Sequence, residues 1–93
     1  MNVLNGKNAL ITGATGGLGM AISLALAESG CNLFLVCRGD EKYASLAEKL
    51  KHVNVKKEKV VCDFEKPQSV LNMISSLKDK KIDILINAAG VFP

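Results

Sequence analysis

Ile11-Thr12-Gly13-Ala14-Thr15-Gly16-Gly17-Leu18-Gly19, written ITGATGGLG, sets four glycines within seven residues. The run before it, KNALIT at 7–12, carries a compact apolar centre and suits a short buried strand. After it, Leu18, Ile22, Ala25, Leu26 and Ser29 fall at helical spacing, and Gly30 follows where a left-handed helix terminus favours glycine. The stretch therefore reads as strand, glycine turn, helix.

The rest of the chain repeats that unit. LFLVC at 33–37 is apolar on both faces, as expected of a parallel strand covered on two sides. Asp40 is placed to cap a second helix whose Tyr43, Leu46, Ala47 and Leu50 share a face. A third strand is predicted over 56–62, KKEKVVC, and Pro67 suits the first turn of a third helix with Val70, Met73, Ile74 and Leu77 inward. A β-branched run, IDILIN at 82–87, leads into Ala88-Ala89-Gly90. This β-α-β-α-β-α-β alternation predicts an α/β fold, a Rossmann-like doubly wound parallel sheet of order 3-2-1-4.

Ninety-three residues allow one small domain, and 48% hydrophobic with 23% charged residues is a folded composition without repeat or linker. The net charge of +3 is mild. The lysines that cluster, at 49, 51, 56, 57 and 59 and again at 78, 80 and 81, read as solvated helix ends and turns. Few aromatics accompany them, which argues against a nucleic-acid surface. Neither a secretory signal nor a membrane-spanning apolar run is evident, so a cytoplasmic location is expected. Neither the spacings of Cys31, Cys37 and Cys62 nor the lone His52 make a metal-ligand pattern, so no metal is expected and the cysteines are read as buried reduced thiols. Cys37 and Cys62 each close an apolar run, so a redox-linked pair across neighbouring strands is the alternative for those two.

In a doubly wound sheet the ligand lies beyond the carboxyl ends of the strands where the winding reverses, here between the first and fourth strands. Both Gly13–Gly19 and Asn87–Gly90 fall there. Glycines let backbone approach a bulky anion, and the helix starting near Leu18 aims N–H groups and its positive dipole end at it, so pyrophosphate is the natural guest. The plain alternative is a tight strand-to-helix turn that binds nothing. The spacing is neither Gly-x-Gly-x-x-Gly nor a phosphate loop ending in Gly-Lys-Ser/Thr.

These residues resemble the short-chain dehydrogenases and reductases. Thr12, Gly13, Gly17 and Gly19 match Thr-Gly-x-x-x-Gly-x-Gly of the compact branch, while Thr12, Gly13, Gly16 and Gly19 also match the extended branch. Asn87-Ala88-Ala89-Gly90 is similar to the compact branch's Asn-Asn-Ala-Gly, with alanine for the second asparagine, and decides for that branch. The likeness covers all 93 residues and extends to 3-oxoacyl-carrier-protein reductases.

The resemblance implies that Gly13, Thr15, Gly16, Gly17, Leu18 and Gly19 lie along the pyrophosphate and its ribose, and that Asp63, beside Phe64, bonds the adenine amino group. It implies that Asn87, Ala88 and Ala89 support the sheet and touch ribose, and that Gly90 leaves room for the cofactor. Where an acid at the end of the second strand would pair the ribose hydroxyls, this chain has neutral Cys37 followed by Arg38, suited to a 2′-phosphate. NADP(H) is expected over NAD(H). The family's chemistry is hydride transfer between nicotinamide and a carbonyl or alcohol, served by Tyr-x-x-x-Lys. Here the single tyrosine, Tyr43, is followed four residues on by Ala47, so no catalytic residue is assigned. Residues 1–93 are accordingly read as the N-terminal dinucleotide-binding portion of one Rossmann domain, ending after the fourth strand. A small substrate would need the missing half, self-association is expected, and a non-catalytic module that senses cofactor or completes its fold with another chain is the alternative.

Overall fold

The alternation of apolar runs and amphipathic segments folds, in a computed structural model, into the expected order β1 (Asn8–Thr12), α1 (Gly17–Glu28), β2 (Asn32–Cys37), α2 (Asp40–Leu50), β3 (Lys57–Val61), α3 (Pro67–Leu77) and β4 (Ile84–Asn87). The structure describes residues 3–88, with the backbone alone at 40 and 41. The four strands pair in parallel in the order β3-β2-β1-β4, with Ile11 opposite both Leu35 and Ile86. At the entry to β1 and β4, Asn8 donates its N–H to Asp83 Oδ2 at 2.9 Å, and Asp83 donates its own to the Asn8 carbonyl at 2.8 Å.

Side chains alternate across the sheet with the period of two that extended backbone imposes. Ala9, Ile11, Leu33 and Leu35 pack against α1 and α2 together with Ala27, Leu46 and Leu50, all nearly or wholly out of solvent. On the opposite face Val36, Val60 and Cys62 meet Val70, Met73 and Leu77 of α3. β4 turns Ile84 and Ile86 toward the first layer, and Leu85, on the other face, is 66% exposed.

The inward face of α1 differs from the expected one. Its buried line is Gly19, Ser23 and Ala27, whereas Leu18 is 52% exposed, Ala25 is exposed, and Ile22, Leu26 and Ser29 are only half-buried. The helix lies close to the β1 turn, so its contact line takes the smallest residues, while Met20 and Leu24 pack at its flanks. The expected terminus is present. Gly30 has φ +90°, its N–H reaches the Ala27 carbonyl at 2.9 Å, and the Cys31 N–H reaches that of Leu26 at 3.0 Å, the Schellman pattern.

Two smaller expectations are corrected. Asp40 opens α2 as its first helical residue, and Gly39 is the N-cap. Ile74 is 55% exposed, because α3 meets the sheet through the Val70, Met73 and Leu77 line. Lys57 and Lys59 lie in edge strand β3, as the predicted third strand requires; charged side chains there oppose pairing with another chain, and Lys59 Nζ stands 5.5 Å from the Tyr43 ring centre. Pro67 does begin α3, as expected.

All three cysteines are reduced and buried. Cys62 packs with Val36 and Val60, whereas Cys37, next after Val36 in an extended strand, points to the other face, so the two are not placed for a disulfide. Among the described residues no group of three potential metal ligands occurs, and no helix is long and apolar enough to cross a membrane.

Candidate functional site

At the end of β1 the chain reverses at Gly13, whose φ of +68° lies where only glycine sits without strain. The Ala14 N–H bonds the Val36 carbonyl at 3.3 Å and ties the turn to β2, and the Gly16 N–H bonds the Gly13 carbonyl at 3.2 Å. Helical bonding then begins, from the Met20 N–H to the Gly16 carbonyl at 2.8 Å. The N–H groups of Gly17, Leu18 and Gly19 lie ahead of that bond, Gly16 brings no capping side chain, and the first turn holds no acid. Nothing within 4 Å would meet a Cβ at Gly17. Open donors, a positive dipole end and bare backbone suit this turn to a bulky anion, and the pyrophosphate of a dinucleotide fits those groups.

Beside the turn, the carboxyl ends of three strands enclose a pocket of about 130 Å³ lined by Gly13, Thr15, Val36, Cys37, Arg38, Cys62 and Phe64. The site residues Gly13, Thr15, Arg38 and Phe64 thus come together from three loops. Phe64, the only aromatic residue of that lining, is 50% exposed. Asp63 is not itself part of that lining. Its Oδ1 accepts the Glu65 N–H at 3.0 Å, its carbonyl accepts the Lys66 N–H at 3.0 Å, and its own N–H donates to Ser69 Oγ at 2.9 Å. Sequence reasoning missed Glu65, whose Oε2 stands 3.7 Å from Arg38 Nη2. The only signal for it is an acid two residues after Asp63, and 27 positions separate it from Arg38.

On the other side of β1, Thr12 and Asn87 are register partners. The Thr12 hydroxyl donates to Asn87 Oδ1 at 2.8 Å, and the Ala88 N–H to the Thr12 carbonyl at 3.0 Å. The two motifs therefore meet at the switch point between β1 and β4, 75 residues apart in sequence. Ala89 and Gly90 lie outside the described residues. Tyr43 stands apart on α2, where burial pushes its phenol upward, Cys37 adds to that, and Lys59 opposes it.

A family model described as short chain dehydrogenase matches residues 7–93. The chain belongs to the short-chain dehydrogenase family. Oxidoreductase UcpA of Escherichia coli is 42% identical over 93 residues, which are 98% of this chain and 35% of that protein. The structure of L-sorbose reductase from Gluconobacter frateurii, complexed with NADPH and L-sorbose, superposes with a TM-score of 0.84 at 30% identity over all of this chain and 37% of that one. NAD+-bound xylitol dehydrogenase gives 0.80 at 33% identity, over 89% of this chain and 33% of its own. The chain thus spans about a third of the length of these short-chain dehydrogenases, and the parallel β3-β2-β1-β4 sheet is the part they share with it.

Proposed function

We propose that residues 1–93 are the N-terminal dinucleotide-binding portion of a short-chain oxidoreductase that uses NADP(H) in preference to NAD(H) and acts on a carbonyl or alcohol. The bound nicotinamide supplies or accepts the hydride. In this reading Gly16, Gly17, Leu18 and Gly19 present backbone to the pyrophosphate, Thr15 reaches the adjoining phosphate or ribose, and Gly13 makes the turn that permits it. Phe64 borders the adenine and Asp63 bonds its amino group. Asn87 is oriented by Thr12, so that it and Ala88 border a cofactor ribose.

The observation that carries the choice of cofactor is Arg38 lining the pocket directly after Cys37, a neutral residue where an acid would hold the ribose hydroxyls. A guanidinium there binds a 2′-phosphate in bidentate fashion. Relatives in solved structures hold either cofactor, L-sorbose reductase NADPH and xylitol dehydrogenase NAD+. Arg38→Asp is expected to invert the ratio of NADPH to NADH affinity in calorimetric titration. An unchanged ratio overturns the assignment.

The second reading is a non-catalytic dinucleotide-binding module that senses cofactor or completes its fold with another chain, and it uses the same glycine turn and pocket. Under both readings these 93 residues bind dinucleotide without turning over ketones. Exposed Leu71, Ile74 and Leu85 support the accompanying expectation of self-association or marginal stability. A single monomeric sedimentation boundary together with high thermal stability overturns it.

A further inference from the structure

We propose that Glu65 is a specificity-determining residue which weakens binding of 2′-phosphorylated dinucleotides by holding Arg38. This rests on the reading of Arg38 as the group that meets the 2′-phosphate. The Arg38 and Glu65 side chains are 75% and 83% exposed and stand 3.7 Å apart, and Arg38 lines the pocket together with Phe64, the residue before Glu65. The backbone that carries Glu65 is fixed in its loop. The Glu65 N–H bonds Asp63 Oδ1 at 3.0 Å, and that loop is tied to α3 through the Asp63 N–H and Ser69 Oγ at 2.9 Å.

The chemistry follows from one guanidinium facing two anions. Glu65 stands at Nη2, the nitrogen common to both bidentate edges of the guanidinium, so a phosphate gripped on either edge meets the carboxylate. A phosphate monoester, carrying about −1.5 to −2 charges near pH 7, must displace the Glu65 carboxylate and is repelled by it. A cofactor with two free ribose hydroxyls meets neither obstacle. The pair is solvated, so its effect is the modest one of exposed ion pairs, about two- to fivefold in affinity.

The test titrates the 93-residue chain with adenosine 2′,5′-bisphosphate and with adenosine 5′-monophosphate by calorimetry, in wild type, Glu65→Gln, Arg38→Gln and the double variant. Glu65→Gln is expected to tighten the bisphosphate about two- to fivefold, to leave the monophosphate unchanged, and to lose that gain in the Arg38→Gln background. If Arg38→Gln weakens the bisphosphate selectively while Glu65→Gln leaves the affinity ratio unchanged or lowers it, the role of Glu65 is overturned and that of Arg38 stands. A gain of equal size with and without Arg38 likewise overturns the ion pair as its route. If Arg38→Gln leaves the ratio unchanged, or the wild type binds neither nucleotide, the reading of Arg38 fails and this inference with it.

Discussion

A Cβ at Gly19 would lie 2.0 Å from the Gly13 carbonyl oxygen and 2.8 Å from its carbon. Both obstacles are backbone, and Gly13 is held in turn by its φ of +68° and by the Gly16 N–H on the same oxygen. The first turn of α1 therefore rests directly on the end of β1. The buried line Gly19, Ser23 and Ala27 carries that approach along the helix, with Ser23 Oγ bonding the Gly19 carbonyl at 2.7 Å instead of leaving a polar atom unmatched.

Gly19→Ala is thus expected to cost at least the ~1–3 kcal/mol of an overpacked core, because no side chain can move aside. Gly17→Ala is the control two residues earlier. It meets nothing within 4 Å and has no positive φ, so it is expected to hold or raise the melting temperature, gaining up to about 1 kcal/mol. The added methyl at the proposed anion site should nonetheless weaken dinucleotide binding. Thermal unfolding and calorimetric titration of both variants separate the two roles, and equal melting temperatures would overturn the steric account.

Gly30→Ala tests the other end of α1. With φ at +90° the new side chain is forced into left-handed backbone, at a cost of about 1–2 kcal/mol in urea unfolding. Because the site lies at the opposite end of the helix, the dinucleotide affinity of the folded fraction should be unchanged.

What could be read in advance follows from which features repeat and which are local. Strand order was legible because alternating units leave few right-handed ways to wind, and LFLVC showed a strand covered on both faces. The α1 face was misread because apolar periodicity looks for large residues, and this contact selects Gly19, Ser23 and Ala27 for smallness; their spacing of four was the available signal. Ile74 was misplaced because α3 contacts the sheet along one narrow line. In the site, Gly13, Thr15, Arg38 and Phe64 were named from local motifs and share one pocket. Glu65 escaped because its relation to Arg38 exists only once β2 and β3 are adjacent.

The two helical layers are unequally buried, which gives a third contrast. Leu50 is wholly buried beneath α2, and Leu50→Ala is expected to cost about 2–5 kcal/mol. Leu71 on α3 is 58% exposed, so Leu71→Ala should stay within about 0.5 kcal/mol of the parent, measured by urea unfolding at low protein concentration.

Asp83 links the sheet to pH. The Asn8 N–H, donating to its Oδ2 at 2.9 Å, is the foremost cause holding its carboxyl below the ordinary range; burial opposes this, and Lys81, 3.7 Å from Oδ1, and Lys7 reinforce it. A carboxyl depressed in the folded state binds its proton more readily once unfolded. Its stabilising contribution is therefore fully present above the unfolded value of about 4 and is lost as pH falls through the lower folded value. Asp83→Asn keeps the size and an acceptor for Asn8 while removing the charge. The wild type is expected to melt above the variant at neutral pH, by a margin that stays constant down to about pH 4 and closes below it. Melting curves of both proteins between neutral pH and about pH 2 check this, and a margin that persists at the acid end would show that Asp83 acts through its shape and not its charge.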